Sequence, residues 1–216
     1  MKEYFETAAK FLKLDIPFPY EEMLKEAIAL REHFVTHRDG EAEGWLGLTL
    51  HGLDSNKTGT WQDYGYTTAA DAGRDMIWTD LSDQCPITKS FFLNNFPSKK
   101  YGRVRFMLVE AGGHISMHND SKSGIRLTEN INMPLSNPNG CMWKWGDGTE
   151  DLFMEPGVAY AMNISYDHAV YNNSNQDRYH IIVARHDSTD EWKSLITKAA
   201  TEQNVIGCFI TINDLP

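Results

Sequence analysis

The sequence predicts a mainly β protein, a sandwich or barrel over about residues 101–187 with helices before and after it. Three observations carry this expectation. Residues 101–187 break into short apolar runs punctuated by the turn-forming clusters SNPNG, GDGTED, EPG and NNSNQD, a pattern of short strands at regular intervals. Before and after this region the apolar residues recur at helical spacing instead. The chain has 216 residues, of which 41% are hydrophobic and 23% charged, enough for one domain with a substantial core.

Each element follows from local pattern. Tyr4, Phe5, Ala8, Phe11 and Leu12 fall at i, i+3, i+4 spacing and predict a first helix. Met23, Ala27, Leu30 and Phe34 predict a second, ended by Arg38-Asp39-Gly40. Gly44 to Gly52 (GWLGLTLHG) alternates as a strand does, and TKSFFLNNF predicts a short helix ahead of the strand that opens at Arg103. After the β region, STDEWKSLITKAATEQN opens with a capping residue at Ser188 or Thr189 and predicts a C-terminal helix. The whole is read as a single domain, 1–216: a helical N-terminal region with some strand to residue 100, the β core from 101 to 187, and a helix and tail from 188.

Charge and composition exclude some functions. A formal charge of -10 repels a polyanion, so nucleic acid is not an expected partner. The one basic cluster, Phe96 to Phe106 (FPSKKYGRVRF), is read as a solvated strand entry. No run approaches the roughly 18 apolar residues of a spanning helix, and the N-terminus mixes acids into its apolar residues, unlike a signal peptide. Cys85, Cys141 and Cys208 are odd in number and lack CxxC spacing, which suits a reducing, cytoplasmic setting. A compact cytoplasmic chain without a membrane anchor favours a small-molecule partner over a membrane.

The chemistry concentrates in two stretches. In EAGGHISMHND, Glu110 to Asp120, His118 and Asp120 lie two apart, so an extended backbone points both to one face. His37 and Asp39 repeat the spacing, but there a helix running into a Gly turn makes a solvated helix end the plain reading. His114 and His118 have the i, i+4 spacing of a helical metal pair, which Gly112 and Gly113 argue against. The second stretch, YDHAVYNNSNQDRYHIIVARHD, supplies His168 and, ten residues on, Arg178 at the head of an apolar strand. Two imidazoles and a carboxylate on one face of an ion leave three positions open, the facial arrangement of non-haem Fe(II) oxygenases. A buried guanidinium nearby can hold a carboxylate of a co-substrate by paired hydrogen bonds.

The order AGGHISMHND, HAVYNNSNQDR, YHIIVARHD resembles the aspartyl/asparaginyl β-hydroxylase family of 2-oxoglutarate-dependent oxygenases, over roughly residues 101–187. In that family a strand ends in Pro-Gly shortly before the first His, and an Arg opens an apolar strand about ten residues after the second. Here Ala111 stands in place of the Pro, and Asp120 keeps a carboxylate that some animal members replace by glycine. The resemblance implies a double-stranded β-helix, a cupin-like jelly roll. It implies His118, Asp120 and His168 as catalytic iron ligands and Arg178 as the group that binds the distal carboxylate of 2-oxoglutarate. The strand IRLTENINMPL alternates Arg126, Thr128, Asn130 and Asn132; the matching family strand lines the active site, which assigns Arg126 to substrate or co-substrate and Asn130 to supporting contacts. His180 shares the strand face of Arg178 and is expected at the same site or as a satisfied core histidine.

The implied cofactors are Fe(II), 2-oxoglutarate and dioxygen. The implied reaction hydroxylates an unactivated C–H bond, of an amino acid or a peptidyl residue, as 2-oxoglutarate is decarboxylated to succinate and CO2. Two alternatives stay open: a cupin-like isomerase or lyase with no use for 2-oxoglutarate, and a non-catalytic barrel that binds a small acid. Two aromatic segments are read more modestly, MWKWGDG (Met142 to Gly148) as hairpin packing and GTWQDYGY (Gly59 to Tyr66) as a contributor to the substrate pocket.

Overall fold

A computed structural model describes residues 2–38, 40, 42–98, 100–120, 130–185 and 189–212. In chain order the elements are β1 (Lys2–Thr7), β2 (Phe11–Leu14), α1 (Tyr20–Ala29), β3 (Val35–Thr36), β4 (Ala42–Gly52), α2 (Ala69–Arg74), β5 (Ile77–Trp78) and α3 (Pro86–Asn94). Then come β6 (Tyr101–His118), β7 (Asn130–Pro134), β8 (Cys141–Trp145), β9 (Ala159–Met162), β10 (His168–Asn172), β11 (Arg178–Arg185), α4 (Asp190–Glu202) and β12 (Gly207–Ile212). No helix among the described residues is long and apolar enough to cross a membrane.

The strand β6 organises the molecule because it lies within one ten-stranded antiparallel sheet and changes partners along its length. Its first half, from Tyr101 to Val109, pairs antiparallel with β11 on one side and β4 on the other, and β11 leads on to β7, β9 and β2. Its second half keeps the start of β4 as a partner, Ala42 opposite Ile115 and Glu43 opposite His114, and on the other side pairs with β10, which pairs with β8. One antiparallel sheet that bends at β6, so that residues of both its wings line a common interior, forms the double-stranded β-helix. The bend falls at Gly112 and Gly113. Gly112 has φ +76, and a Cβ on Gly113 would stand 2.7 Å from the Glu43 carbonyl oxygen and 3.0 Å from that of Glu110, so both positions favour glycine. The buried Asn172 side chain braces the bend by donating to the carbonyls of Val109 and Glu110.

Alternation along the strands then sorts side chains between two cores. Val104, Phe106 and Leu108 of β6, Tyr179, Ile181 and Val183 of β11, and Ile131 and Met133 of β7 face outward, where Met23, Ala27, Phe91, Phe92, Trp192 and Ile196 of the helices cover them. Met107 and Val109 face the barrel interior with Trp45, Trp143, Met162 and Val170.

The N-terminal segment is strand, not helix. Leu12 and Leu14 are buried while Lys13 between them is exposed, a period of two. The partners lie at the far end of the chain: β1 pairs with β12 and β2 with β9. Long-range pairing outweighs the helical spacing of those apolar residues. The β core accordingly does not begin at 101, since β2 and β4 belong to the same sheet, and the expected C-terminal tail contributes β12. The strand at 42–52 and the helices at 86–94 and 190–202 stand as expected, with the Thr189 side chain accepting from the Trp192 N–H as the cap of α4. The second helix is shorter than expected: it ends at Ala29, and Val35–Thr36 pair with β4 as a strand.

Candidate metal centre

His118 ends β6 and His168 opens β10, and the two are paired in register. Asp120 follows two residues beyond the end of the strand, held by its N–H to the Ile164 carbonyl at 3.0 Å. One ligand atom from each of the three lies within 4.8 Å of the others. The hydrogen bonds orient both rings. His118 Nδ1 is 2.7 Å from the Ser116 carbonyl and His168 Nδ1 is 2.8 Å from that of Tyr166. A carbonyl can only accept, so each Nδ1 carries the proton and each Nε2 presents a bare lone pair. Those Nε2 atoms stand 3.8 and 3.9 Å from Asp120 Oδ2. Trp143 stacks on His168 at 4.6 Å and 11°, and burial lowers the pKa of this imidazole, favouring the neutral, ligating form. Two neutral imidazoles and one carboxylate converging on a point form a donor set that fits a divalent ion with open positions.

The three residues line one wall of a cavity that also contains Arg178, His180, Asn130 and Asn132. Arg178 is 2% exposed. Its Nε donates to Asn137 Oδ1 at 2.9 Å, Nη1 meets His180 Nδ1 at 3.1 Å and Nη2 meets the Met154 sulfur at 3.4 Å. None of these partners is anionic. His180 is buried, and burial, with Arg178 next, holds its pKa well below the ordinary value; the neutral ring can therefore accept from the guanidinium. Arg126 lies outside the described residues.

The family model for aspartyl/asparaginyl β-hydroxylases matches residues 20–187. The chain belongs to this family. The match extends well before the region 101–187 on which the sequence resemblance rests. No curated protein matches this chain in sequence. Among solved structures it is similar to a prolyl-4-hydroxylase from Pseudomonas putida, at 13% identity over 84% of this chain and 95% of that one, with a TM-score of 0.46. It is similar to a prolyl hydroxylase from Trichoplax adhaerens in complex with a hypoxia inducible factor peptide fragment, at 14% identity over 87% and 88%, TM-score 0.47. A viral collagen prolyl hydroxylase from Paramecium Bursaria Chlorella virus-1 is 10% identical over 82% and 95%, TM-score 0.44.

The site contains residues that local reading misplaced. Arg103 and Arg105 are not a solvated strand entry: they share the inward face of β6 with Met107 and Val109, and both line the cavity. Arg105 is 7% exposed. His37 is likewise not at a solvated helix end. It is 2% exposed, its Nδ1 is 2.8 Å from Thr58 Oγ1, it meets Trp45 edge-on at 4.3 Å, and burial pushes its pKa down to about 2. Arg38 beside it has φ +55 and reaches Asp120 Oδ1 at 3.1 Å. Of GTWQDYGY, Thr60 lines the cavity and the Gly59 carbonyl accepts from Arg103. Trp143 does more than pack a hairpin, since it covers His168. His114 stays apart, stacked on Tyr171. The inward period of two along β6 was the available signal for Arg103 and Arg105; apolar residues on both faces of the strand conceal it.

Proposed function

We propose that the chain is an Fe(II)- and 2-oxoglutarate-dependent dioxygenase that hydroxylates an unactivated C–H bond of an amino acid or a peptidyl residue of the Asp, Asn or Pro kind. The observation that carries the reading is the pairing, in one cavity, of a converging His118, Asp120 and His168 with Arg178, a buried guanidinium that has only neutral partners. A buried charge without a counter-ion is costly, and a carboxylate arriving with the co-substrate offsets that cost.

His118, Asp120 and His168 would hold the metal. Arg178 would hold the distal carboxylate of 2-oxoglutarate, with Asn137 and the neutral His180 fixing the plane of its fork. Iron with 2-oxoglutarate and dioxygen bound supplies the oxidising power, coupling insertion of one oxygen atom into the C–H bond to release of succinate and CO2. Ile115, Ile164, Val170 and Ile182 line the same cavity and exclude water from it. Trp143 fixes the plane of the His168 ring from one face.

The test is anaerobic titration of the metal-free protein with Fe(II) and then 2-oxoglutarate, watching for the weak visible charge-transfer band of a chelated keto acid. Wild type should show the band, His118→Ala should lack it, and Arg178→Ala should need at least about tenfold more 2-oxoglutarate to reach it. Iron binding without a band would move the chain to metal enzymes that do not use 2-oxoglutarate. No metal binding at all would leave a barrel that binds small acids.

A further inference from the structure

Four buried side-chain polar atoms among the described residues have no hydrogen-bond partner: Trp45 Nε1, Arg105 Nε, Asn132 Oδ1 and Trp143 Nε1. All four residues line the one cavity that holds the metal centre. Each orphaned atom costs roughly 1–3 kcal/mol when left unmet, and native proteins keep few of them. Their concentration at one place points to groups that a ligand satisfies. Three are N–H donors and one is an acceptor, so the complementary molecule offers mainly acceptor oxygens and one N–H or O–H.

Charge points the same way. Arg38, Arg103, Arg105 and Arg178 line the cavity, and the one acidic side chain among its described lining residues is Asp120. This excess of positive charge sits inside a chain whose formal charge is -10. Arg38 is paired with Asp120. Arg103 and Arg105 donate only to the neutral Thr58 and Gly59 carbonyls, and no described carboxylate pairs with either. On the oxygenase reading, on which this inference rests, a divalent metal and doubly charged 2-oxoglutarate cancel each other. Three guanidinium charges, those of Arg178, Arg103 and Arg105, then remain, and neither Arg103 nor Arg105 has a described carboxylate in direct contact.

We propose that Arg103 and Arg105 form a second anion seat, and that the substrate is a small molecule carrying a free oxyanion, carboxylate or phosphate, with a neighbouring N–H or O–H for Asn132 Oδ1. The two guanidiniums stand two residues apart on one strand face, and the Thr58 carbonyl accepts from both, so the pair is held before a ligand arrives. A neutral amide in the middle of a polypeptide leaves this seat unfilled; a free amino acid or a phosphorylated metabolite fills it.

The test measures binding, with the metal-loaded protein saturated in 2-oxoglutarate so that the Arg178 end is occupied. Acetate, inorganic phosphate and neutral acetamide are titrated at constant ionic strength, following the total tryptophan fluorescence, to which Trp45 and Trp143 in the cavity contribute, and the melting temperature. Acetate or phosphate should bind, and which binds tighter assigns the group; acetamide should not. Arg105→Gln and, separately, Arg103→Gln should weaken oxyanion binding by about tenfold or more, with 2-oxoglutarate affinity kept. Arg105→Lys, which keeps the charge and loses the fork, should fall between. Oxyanion binding that is absent in wild type, or equal in wild type and in either Gln variant, overturns the proposal. Failure of wild type to bind 2-oxoglutarate overturns the oxygenase reading instead, so the two failures are separable.

Discussion

Replacing Arg105 by Met should make the ligand-free protein more stable, against the usual direction of a core substitution. Arg105 is 7% exposed, its Nε has no partner, and burial, reinforced by Arg103 and Arg38, pushes its pKa well below the usual arginine value. The substitution loses one charge-assisted bond to the Thr58 carbonyl, at 2.6 Å, worth about 1.5–3 kcal/mol. That carbonyl is not orphaned, because Arg103 Nη1 remains 3.2 Å away. Removing the orphaned Nε returns about 1–3 kcal/mol, so these two contributions nearly cancel. What remains is the desolvation of a buried cation and its repulsion by like charges, and apolar replacement of such groups is often neutral or stabilising by about 1–4 kcal/mol. A net gain of about 1–2 kcal/mol corresponds to a rise of roughly 2–8 °C in Tm for a chain of this size. Calorimetry and urea unfolding in a phosphate-free, carboxylate-free buffer measure it. A Tm at or below that of wild type would refute the reasoning, since it would mean that the ligand-free cavity already compensates the charge.

Two further predictions concern the fold around the site. His37 has a folded pKa near 2 against an ordinary value of 6.5, so the unfolded chain takes up a proton below about pH 6.5 that the folded chain refuses. Its contribution to stability is whole above pH 6.5 and is lost as pH falls toward 2, by up to about 1.4 kcal/mol per pH unit. His37→Gln should flatten the stability curve from urea unfolding between pH 6 and 4 by close to one proton's worth; an unchanged slope contradicts the buried neutral ring. Gly113→Ala drives a Cβ to 2.7 Å from a backbone carbonyl oxygen of β4 and should cost about 1–3 kcal/mol, read by urea unfolding. A neutral result would show that the bend in β6 relaxes freely.

Much of the molecule was legible locally. Turn clusters between short apolar runs marked the β core, and helical spacing marked α1, α3 and α4. The order His118, Asp120, His168, Arg178 carried the candidate site through its resemblance to the family, since a strand-edge pair and a strand-opening arginine are local patterns that a motif can record. The N-terminal strands were not legible, since their hydrogen bonds go to β12 and β9 near the other end of the chain and nothing within a short window records that.

The sequence by itself determined which residue types the site contains and their order along the chain. Only the tertiary structure decided which of them face one another. Arg103 and Arg105 read as solvated because they are charged and close to a basic turn, and both faces of β6 are apolar from Phe106 onward. The helices cover the face of Val104, Phe106 and Leu108, and that choice turns the arginines inward. His37 entered the cavity for a similar reason, through Trp45 and Thr58, residues from other segments that close around it. The orientation of a strand's two faces is set by what packs on each of them, and that is a property of distant elements.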